Sequence, residues 1–170
     1  DRDVTGVQTC ALPIYTVSLL ATRQTVSAKR ILIATGARPF FPDDVPGIDQ
    51  AESSDDFFEW EQLPRSVVIV GAGYIGVEFA CLLQRLGVKV TLVIRRDKVL
   101  PRFDEDLRSA LSHAMQEQGI VLKTQTSVAR IEGERGRLVV ALQDGTSLAC
   151  ERIVYATGRV PNVNGLGLET

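Results

Sequence analysis

The fold of this chain is decided by residues 66–78, which have the sequence SVVIVGAGYIGVE. A run of β-branched residues predicts a buried strand, and a G-x-G-x-x-G turn follows it directly. In such a turn Gly71 permits the sharp bend, Gly73 leaves room for a phosphate, and Gly76 lets the next helix pack closely on the sheet. The helix N-terminus offers free N–H donors to an anion, so this stretch predicts a dinucleotide-binding unit.

The segments around the turn continue the alternation of strand and helix. Apolar residues recur at spacings of three and four over residues 74–86, which predicts a helix, and Asp104 is placed to cap a second one. The predicted strands are residues 15–20, 67–70, 88–94, 120–122, 127–132, 138–142, 147–150 and 153–156. Because the apolar period changes to two after residue 126, the sequence predicts an α/β fold, a Rossmann-like domain with a parallel sheet and an antiparallel three-strand insert.

An internal repeat extends this prediction. Residues 29–39 and 151–161 are identical at six of eleven positions, and each copy has an apolar run that ends at Ala-Thr-Gly. We therefore expect a buried strand at residues 29–34 as well as at residues 153–156. The repeat indicates two related dinucleotide-binding units, one inserted into the other.

Composition and chain ends limit the possible functions. The apolar content of 45%, the charged content of 24% and the net charge of −2 indicate a soluble globular domain without a nucleic-acid partner. No apolar run approaches the ~18 residues of a membrane span. Residues 4–14, VTGVQTCALPI, resemble a translated DNA-sequencing adapter, so residues 1–14 are set aside and the rest is expected to be an internal piece of a longer protein.

Other residues with chemical potential are interpreted as structural. Cys81 and Cys150 form no C-x-x-C motif, which fits a reducing cytoplasm, and His113 lies mid-helix without a nucleophile near it in sequence. Trp60 is expected to pack with its aromatic neighbours. The acidic residues 104–106 lack His or Cys companions, so no metal site is predicted.

Five motifs together carry a resemblance to a known family. They are IATG at 33–36, SDDFF at 54–58, GAGYIGVEFA at 71–80, IRRDKVL at 94–100 and ATGRVPN at 156–162. This set resembles the FAD-dependent pyridine nucleotide-disulfide oxidoreductases, and within them the glutathione reductase branch. In that family hydride passes from a nicotinamide to flavin, and the reduced flavin opens a cysteine disulfide that reduces the substrate disulfide.

The resemblance implies a domain order and a set of site residues. The domains would be the end of the first half of an FAD-binding domain at 15–45, a linker at 46–64, an NAD(P)-binding domain at 65–156 and a return into the FAD-binding domain at 157–170. The pyrophosphate would be lined by Gly71, Ala72, Gly73, Ile75 and Gly76. Tyr74 would be a lid on the nicotinamide side of the flavin, and Glu78 would lie near the nicotinamide.

The two Ala-Thr-Gly ends would border the flavin. Thr35 and Gly36 would approach the flavin dinucleotide, and Gly158 with Arg159 would line the junction between nicotinamide and flavin. By the same resemblance the redox cysteines, the catalytic His–Glu pair and the dimer domain of a homodimeric parent lie outside this chain. No catalytic residue is therefore expected here, and the chain alone is expected to bind nucleotide without turnover.

The residues after the second strand favour NADP. An NAD-binding fold has an acid at the position of Ile94, which would accept hydrogen bonds from the ribose 2′-hydroxyl. Here Arg95 and Arg96 follow instead, and guanidinium groups suit a 2′-phosphate.

Other residues leave NAD as an alternative cofactor. Gly76 stands where the NADP-dependent glutathione reductases usually have alanine, Pro101 replaces a second basic residue, and Asp97 adds a negative charge. Arg102 lies one position beyond Pro101. The alternatives for the parent are therefore an NADH-dependent dihydrolipoamide dehydrogenase-like or ferredoxin reductase-like flavoprotein, or a module that only binds nucleotide.

Overall fold

The computed structural model describes residues 15–19 and 21–168, which form two compact units that divide after Gly36. The first unit contains an antiparallel hairpin, β1 (Tyr15–Leu19) and β2 (Gln24–Ala28). The predicted strand at β1 is confirmed, whereas β2 was not predicted. The adapter-like residues 1–14 lie outside the described residues.

The prediction of a buried strand at residues 29–34 is wrong. These residues have no regular structure, and Leu32 is 90% exposed. A continuous apolar run forms a buried strand only where neighbouring strands and covering layers accept it. No strand in the described ranges pairs with residues 29–34.

The second unit begins at Ala37 and carries the predicted α/β order. Its elements are β3 (Ala37–Pro39), a 3₁₀ turn (Ile48–Gln50), α1 (Ser54–Phe57), β4 (Ser66–Val70), α2 (Tyr74–Arg85), β5 (Lys89–Val93), α3 (Glu105–Glu117), β6 (Val121–Lys123), β7 (Val128–Glu134), β8 (Arg137–Leu142), β9 (Ser147–Cys150), β10 (Arg152–Tyr155) and β11 (Arg159–Pro161). The strands β4 to β10 and the helices α2 and α3 lie within a few residues of their predicted positions.

The central sheet is wholly parallel, in the order β10-β4-β5-β6. Its central strands β4 and β5 are mainly apolar because both faces of the sheet are covered there. On one face, Ile69 and Leu92 pack with Leu83 of α2 and Met115 of α3.

The antiparallel insert covers the opposite face of the sheet. Strands β7, β8 and β9 form a three-stranded sheet, and its inward residues Leu138 and Val140 pack against Val68 and Ile153. The hairpin between β8 and β9 turns at Asp144 and Gly145, and Gly145 has the positive φ of 83° that such a turn requires. The predicted α/β architecture with its parallel sheet and three-strand insert is therefore confirmed.

The segment before β4 is fixed to the domain by a capped helix. Ser53 accepts hydrogen bonds from the amides of Asp55 and Asp56, and the Asp56 carboxylate accepts one from the Ser53 amide in return. This capping box starts α1, and the ring of Phe57 then stacks on Phe79 of α2 with centroids 3.9 Å apart. Among the described residues, no helix has the length and apolar character needed to cross a membrane.

Candidate functional site

The glycine turn between β4 and α2 has the close contacts that its sequence predicts. Gly71 has a φ of 133°, and a Cβ there would overlap the Ala156 carbonyl oxygen. A Cβ on Gly76 would lie 2.6 Å from the Gly71 carbonyl oxygen. A Cβ on Gly73, by contrast, would meet no atom within 4 Å. Two glycines are therefore required by packing, and the third borders open space.

The N-terminus of α2 is left without a side-chain cap. Gly73 is the N-cap residue in an extended conformation, and it has no side chain that could accept from the first amides. The Val77 amide donates to the Gly73 carbonyl at 3.1 Å as the helix begins. The preceding amides have no acceptor within the helix, so they are available to an anion at the turn.

A single cavity of about 1190 Å³ collects most of the predicted site residues. The predicted residues that line it are Gly71, Ala72, Gly73, Tyr74, Ile75, Arg95, Arg96, Gly158 and Arg159. Gly76 and Glu78 do not line the cavity: Gly76 is buried behind the turn, and Glu78 is exposed on α2 just beyond its first turn. Thr35 and Gly36 belong to the first compact unit.

The end of β5 supplies the cationic side of the cavity. Ile94 is buried, while Arg95 and Arg96 are exposed and form no ion pair with any residue in the described ranges. Arg102 also lines the cavity, together with Pro101. Three guanidinium groups are therefore available near the glycine turn, where a phosphate group could accept hydrogen bonds from them.

The acidic side chains near these arginines are engaged elsewhere. The Asp97 carboxylate lies 3.4 Å from Arg108 of α3, and Glu105 contacts both Arg108 and Lys98. The hydrogen bond from Lys98 lowers the pKa of Glu105 below its usual value. Each of these carboxylates therefore has a cationic partner on α3 or in the segment before it.

The cavity is also lined by residues that the sequence patterns did not indicate. They include Phe40, Phe103, Thr126, Gln143 and Tyr155. Burial raises the pKa of the Tyr155 hydroxyl to about 12, so the hydroxyl stays neutral at physiological pH. No local motif marks these positions, because the fold brings them together from distant parts of the chain.

The Ala-Thr-Gly end after β10 is held by a strand pair that was not predicted. Strand β3 pairs with β11, the Phe40 amide donates to the Gly158 carbonyl at 3.0 Å, and the Thr157 hydroxyl donates to the Phe40 carbonyl at 3.1 Å. Arg159 contacts the Ala37 carbonyl and lies 3.5 Å from the Asp55 carboxylate. Gly158 has a φ of 125° and open space at its Cβ position, so its backbone is accessible from the cavity.

The remaining reactive side chains do not form a site. Cys81 and Cys150 are free, and burial raises the pKa of the Cys150 thiol to about 11. His113 is exposed and lies 3.3 Å from Glu117 on the same helix. Across residues 15–19 and 21–168, no cluster of three His, Cys, Asp or Glu side chains could hold a metal ion.

Comparisons with known proteins agree with this geometry. Residues 4–170 match the model of the pyridine nucleotide-disulphide oxidoreductase family. The chain is 42% identical to a glutathione reductase of Burkholderia cepacia over 149 residues, which is 88% of this chain and 33% of that protein. It is 35% identical to a soluble pyridine nucleotide transhydrogenase of Vibrio parahaemolyticus over 149 residues, 87% of this chain and 32% of that protein.

Solved structures show the same similarity. The HOCl-induced flavoprotein disulfide reductase RclA from Escherichia coli superposes with a TM-score of 0.74 at 30% identity, covering 86% of this chain and 34% of that one. The chain thus spans about a third of the length of the curated relatives it matches. With a family match over nearly its whole length, the chain belongs to the pyridine nucleotide-disulphide oxidoreductase family.

Proposed function

We propose that this chain is the NADP-binding part of an FAD-dependent oxidoreductase that passes hydride from NADPH through flavin to a disulfide, with glutathione disulfide as the substrate. The observation that carries the proposal is the shared cavity, which the glycine turn lines together with Arg95 and Arg96. The glutathione reductase of Burkholderia cepacia, at 42% identity, supports the choice of substrate.

The residues of the cavity fit a dinucleotide phosphate. The pyrophosphate would accept from the uncapped amides at the start of α2, and the open space at Gly73 would let it approach the backbone. The 2′-phosphate would accept from Arg95 and Arg96. Each charge-assisted hydrogen bond is worth about 1.5–3 kcal/mol, which corresponds to roughly a ten- to hundredfold difference in affinity.

The other predicted residues would act around the nicotinamide and the flavin. Tyr74, whose side chain is 61% exposed and borders the cavity, would cover the nicotinamide side of the flavin. Glu78 would lie near the nicotinamide, and Gly158 with Arg159 would line the junction of the two rings. Thr35 and Gly36 would approach the FAD of a cytoplasmic, homodimeric parent. The bound nicotinamide supplies the hydride, and these residues would orient it and exclude water.

The test compares the affinity of the 170-residue chain for NADP and NAD by titration calorimetry. We expect NADP to bind more tightly, and we expect Arg95→Glu to lower NADP affinity at least tenfold because a carboxylate repels the 2′-phosphate. Arg137→Glu is the matched control, since Arg137 is exposed on β8 and does not line the cavity.

Two results would contradict the proposal. Tighter binding of NAD than of NADP by the unmutated chain would refute the cofactor assignment. An equal loss of NADP affinity in Arg95→Glu and Arg137→Glu would show that overall charge, rather than the cavity, attracts the cofactor. We also expect the chain alone to bind without reducing a disulfide.

A second candidate differs in the acceptor of the hydride. The transhydrogenase of Vibrio parahaemolyticus, at 35% identity, favours a parent that transfers hydride between two nicotinamide nucleotides. The full-length protein distinguishes the two by the acceptor that sustains NADPH oxidation. Rapid oxidation with glutathione disulfide supports the first candidate, and oxidation only with an NAD analogue supports the second.

A further inference from the structure

The loop between β5 and α3, residues 94–104, presents one side to the cavity and is held by α3 from outside it. Arg95, Arg96 and Arg102 line the cavity, whereas Arg108 of α3 does not. Arg108 nevertheless contacts the loop more extensively than any other described side chain of α3. Any effect of Arg108 on a ligand in the cavity must therefore be transmitted through the loop and not by direct contact.

Arg108 uses its whole guanidinium group in these contacts. Nε donates to the Val99 carbonyl at 3.0 Å, Nη1 lies 2.6 Å from the Glu105 carboxylate, and Nη2 lies 3.4 Å from the Asp97 carboxylate. The Arg108 side chain is only 14% exposed, so it has little alternative hydration. Glu105 belongs to α3, so the contacts with Val99 and Asp97 are the two that tie the helix to the loop, and a planar guanidinium holds such partners more firmly than a flexible ammonium would.

Two further bonds fix the same loop. The Val99 amide donates to the Ser112 hydroxyl at 3.4 Å, and the Leu100 amide donates to the Ala72 carbonyl at 2.7 Å. Leu100 has a φ of 50°, an unusual conformation for a residue other than glycine. The loop is thus tied both to α3 and to the glycine turn, in one defined shape.

Asp97 is the carboxylate nearest in sequence to the two arginines of the cavity. It follows Arg96 directly, and a free carboxylate here would attract the guanidinium groups and repel an incoming phosphate. The structure pairs Asp97 with Arg108 instead, and leaves Arg95 and Arg96 without an ion pair among the described residues.

We propose that Arg108 is a positioning residue for cofactor selectivity: it holds and neutralises Asp97 so that Arg95 and Arg96 remain available to a 2′-phosphate. This inference rests on the proposed function, because it presupposes NADP binding in the cavity. It adds a residue that touches neither cofactor nor cavity, and it explains how the acid after the arginine pair is tolerated.

The experiment is a double-mutant cycle on the 170-residue chain, with NADP and NAD titrated against each variant. The variants are Arg108→Met, Asp97→Asn and the double variant. We expect Arg108→Met to weaken NADP by about three- to tenfold and to change NAD by less than about twofold. In the Asp97→Asn background, the same Arg108→Met change should leave NADP affinity within about twofold, because no carboxylate remains to be neutralised.

Thermal unfolding of each variant separates positioning from folding. If Arg108→Met does not fold, Arg108→Lys replaces it, since lysine keeps the charge beside Asp97 and should retain most of the NADP preference. An equal loss of both cofactors, or an NADP loss that persists in the Asp97→Asn background, would overturn the inference while leaving the proposed function intact. A wild-type preference for NAD would instead overturn the proposed function itself, and this inference with it.

Discussion

The backbone of Gly71 leaves no room for a side chain on Gly76, because a Cβ there would lie 2.6 Å from the Gly71 carbonyl oxygen. The contact lets α2 begin directly against the end of β4, with its free amides at the mouth of the cavity. Packing alone therefore requires glycine at position 76, whichever cofactor is bound. By sequence alone, a glycine at this position favours NAD over NADP. Because packing against Gly71 already accounts for Gly76, this glycine is weak evidence for NAD.

The first prediction concerns this contact. Gly76→Ala should lower the free energy of unfolding by about 1–3 kcal/mol, because the added methyl group meets backbone that cannot move without shifting the turn. Gly73→Ala is the matched control: the same atom is added where nothing lies within 4 Å. Urea unfolding of both variants measures the difference.

The control should show a different defect. Gly73→Ala should unfold within about 1 kcal/mol of the unmutated chain but bind NADP more weakly, because its methyl group occupies the space through which the pyrophosphate approaches. Equal stability losses in the two variants would contradict the assigned packing, and unchanged NADP affinity in Gly73→Ala would contradict the assigned approach.

Most of the fold follows from local patterns. The β-branched strand, the glycine turn and the helix of residues 66–85 are neighbours in sequence and in space, so local chemistry is sufficient to predict them. The change to a two-residue period likewise predicted the insert. The pocket wall around Phe40 and Tyr155 could not be predicted, because its residues approach only after β3 and β11 have paired.

The repeat shows where local patterns fail. Ile31 and Ile153 are identical positions of the two Ala-Thr-Gly copies, yet Ile31 is 43% exposed and Ile153 is fully buried. The apolar run of the second copy forms β10 and pairs with β4, while residues 29–34 of the first copy pair with no strand among the described residues. Burial of a strand depends on the strands and helices that pack against it, and these cannot be identified from the sequence of the strand alone.

A second prediction concerns a buried ion pair that no motif indicated. Glu52 is 2% exposed, and its Oε1 accepts from Arg152 Nη1 at 2.6 Å and from Trp60 Nε1 at 3.3 Å. The partners Glu52 and Arg152 are 100 positions apart, so only the folded chain brings them together. Glu52→Gln should lower the free energy of unfolding by about 1–3 kcal/mol, because Arg152 then loses its charged partner.

Glu59→Gln is the control for this substitution. Glu59 is exposed and lines the same surface cleft as Glu52 and Arg152, which is separate from the cavity at the glycine turn, and its neutralisation should change stability by less than about 0.5 kcal/mol. Chemical unfolding at neutral pH provides the measurement. If Glu52→Gln is as stable as Glu59→Gln, the ion pair contributes nothing to the fold.

A third prediction concerns acid stability at the start of α1. Hydrogen bonds from the Ser53 side chain and amide lower the pKa of Asp56 below its ordinary value of 3.8. A carboxyl group whose pKa is depressed on folding stabilises the fold above its unfolded pKa, and that stability is lost as pH falls through the folded value.

We expect Asp56→Asn to unfold more easily at pH 7 and to show a smaller decline in stability below about pH 4 than the unmutated chain. Ser53→Ala should flatten the same decline, and urea unfolding between pH 3 and pH 7, roughly the range in which linkage acts, measures both. A full acid decline in Ser53→Ala would contradict the assignment.

The last prediction concerns alkaline stability. Burial raises the pKa of the Cys150 thiol from 9.0 to about 11. The unfolded chain therefore releases this proton first as pH rises, so stability that is fully present below pH 9 should fall until about pH 11, by at most about 1.4 kcal/mol per pH unit. Cys150→Ala should remove this part of the slope, in unfolding experiments under reducing conditions. The window from about pH 9 to pH 10 is the informative one, because Tyr155, whose pKa is raised to about 12, contributes mainly above it. An unchanged slope in Cys150→Ala within that window would mean that the thiol is already hydrated in the folded chain.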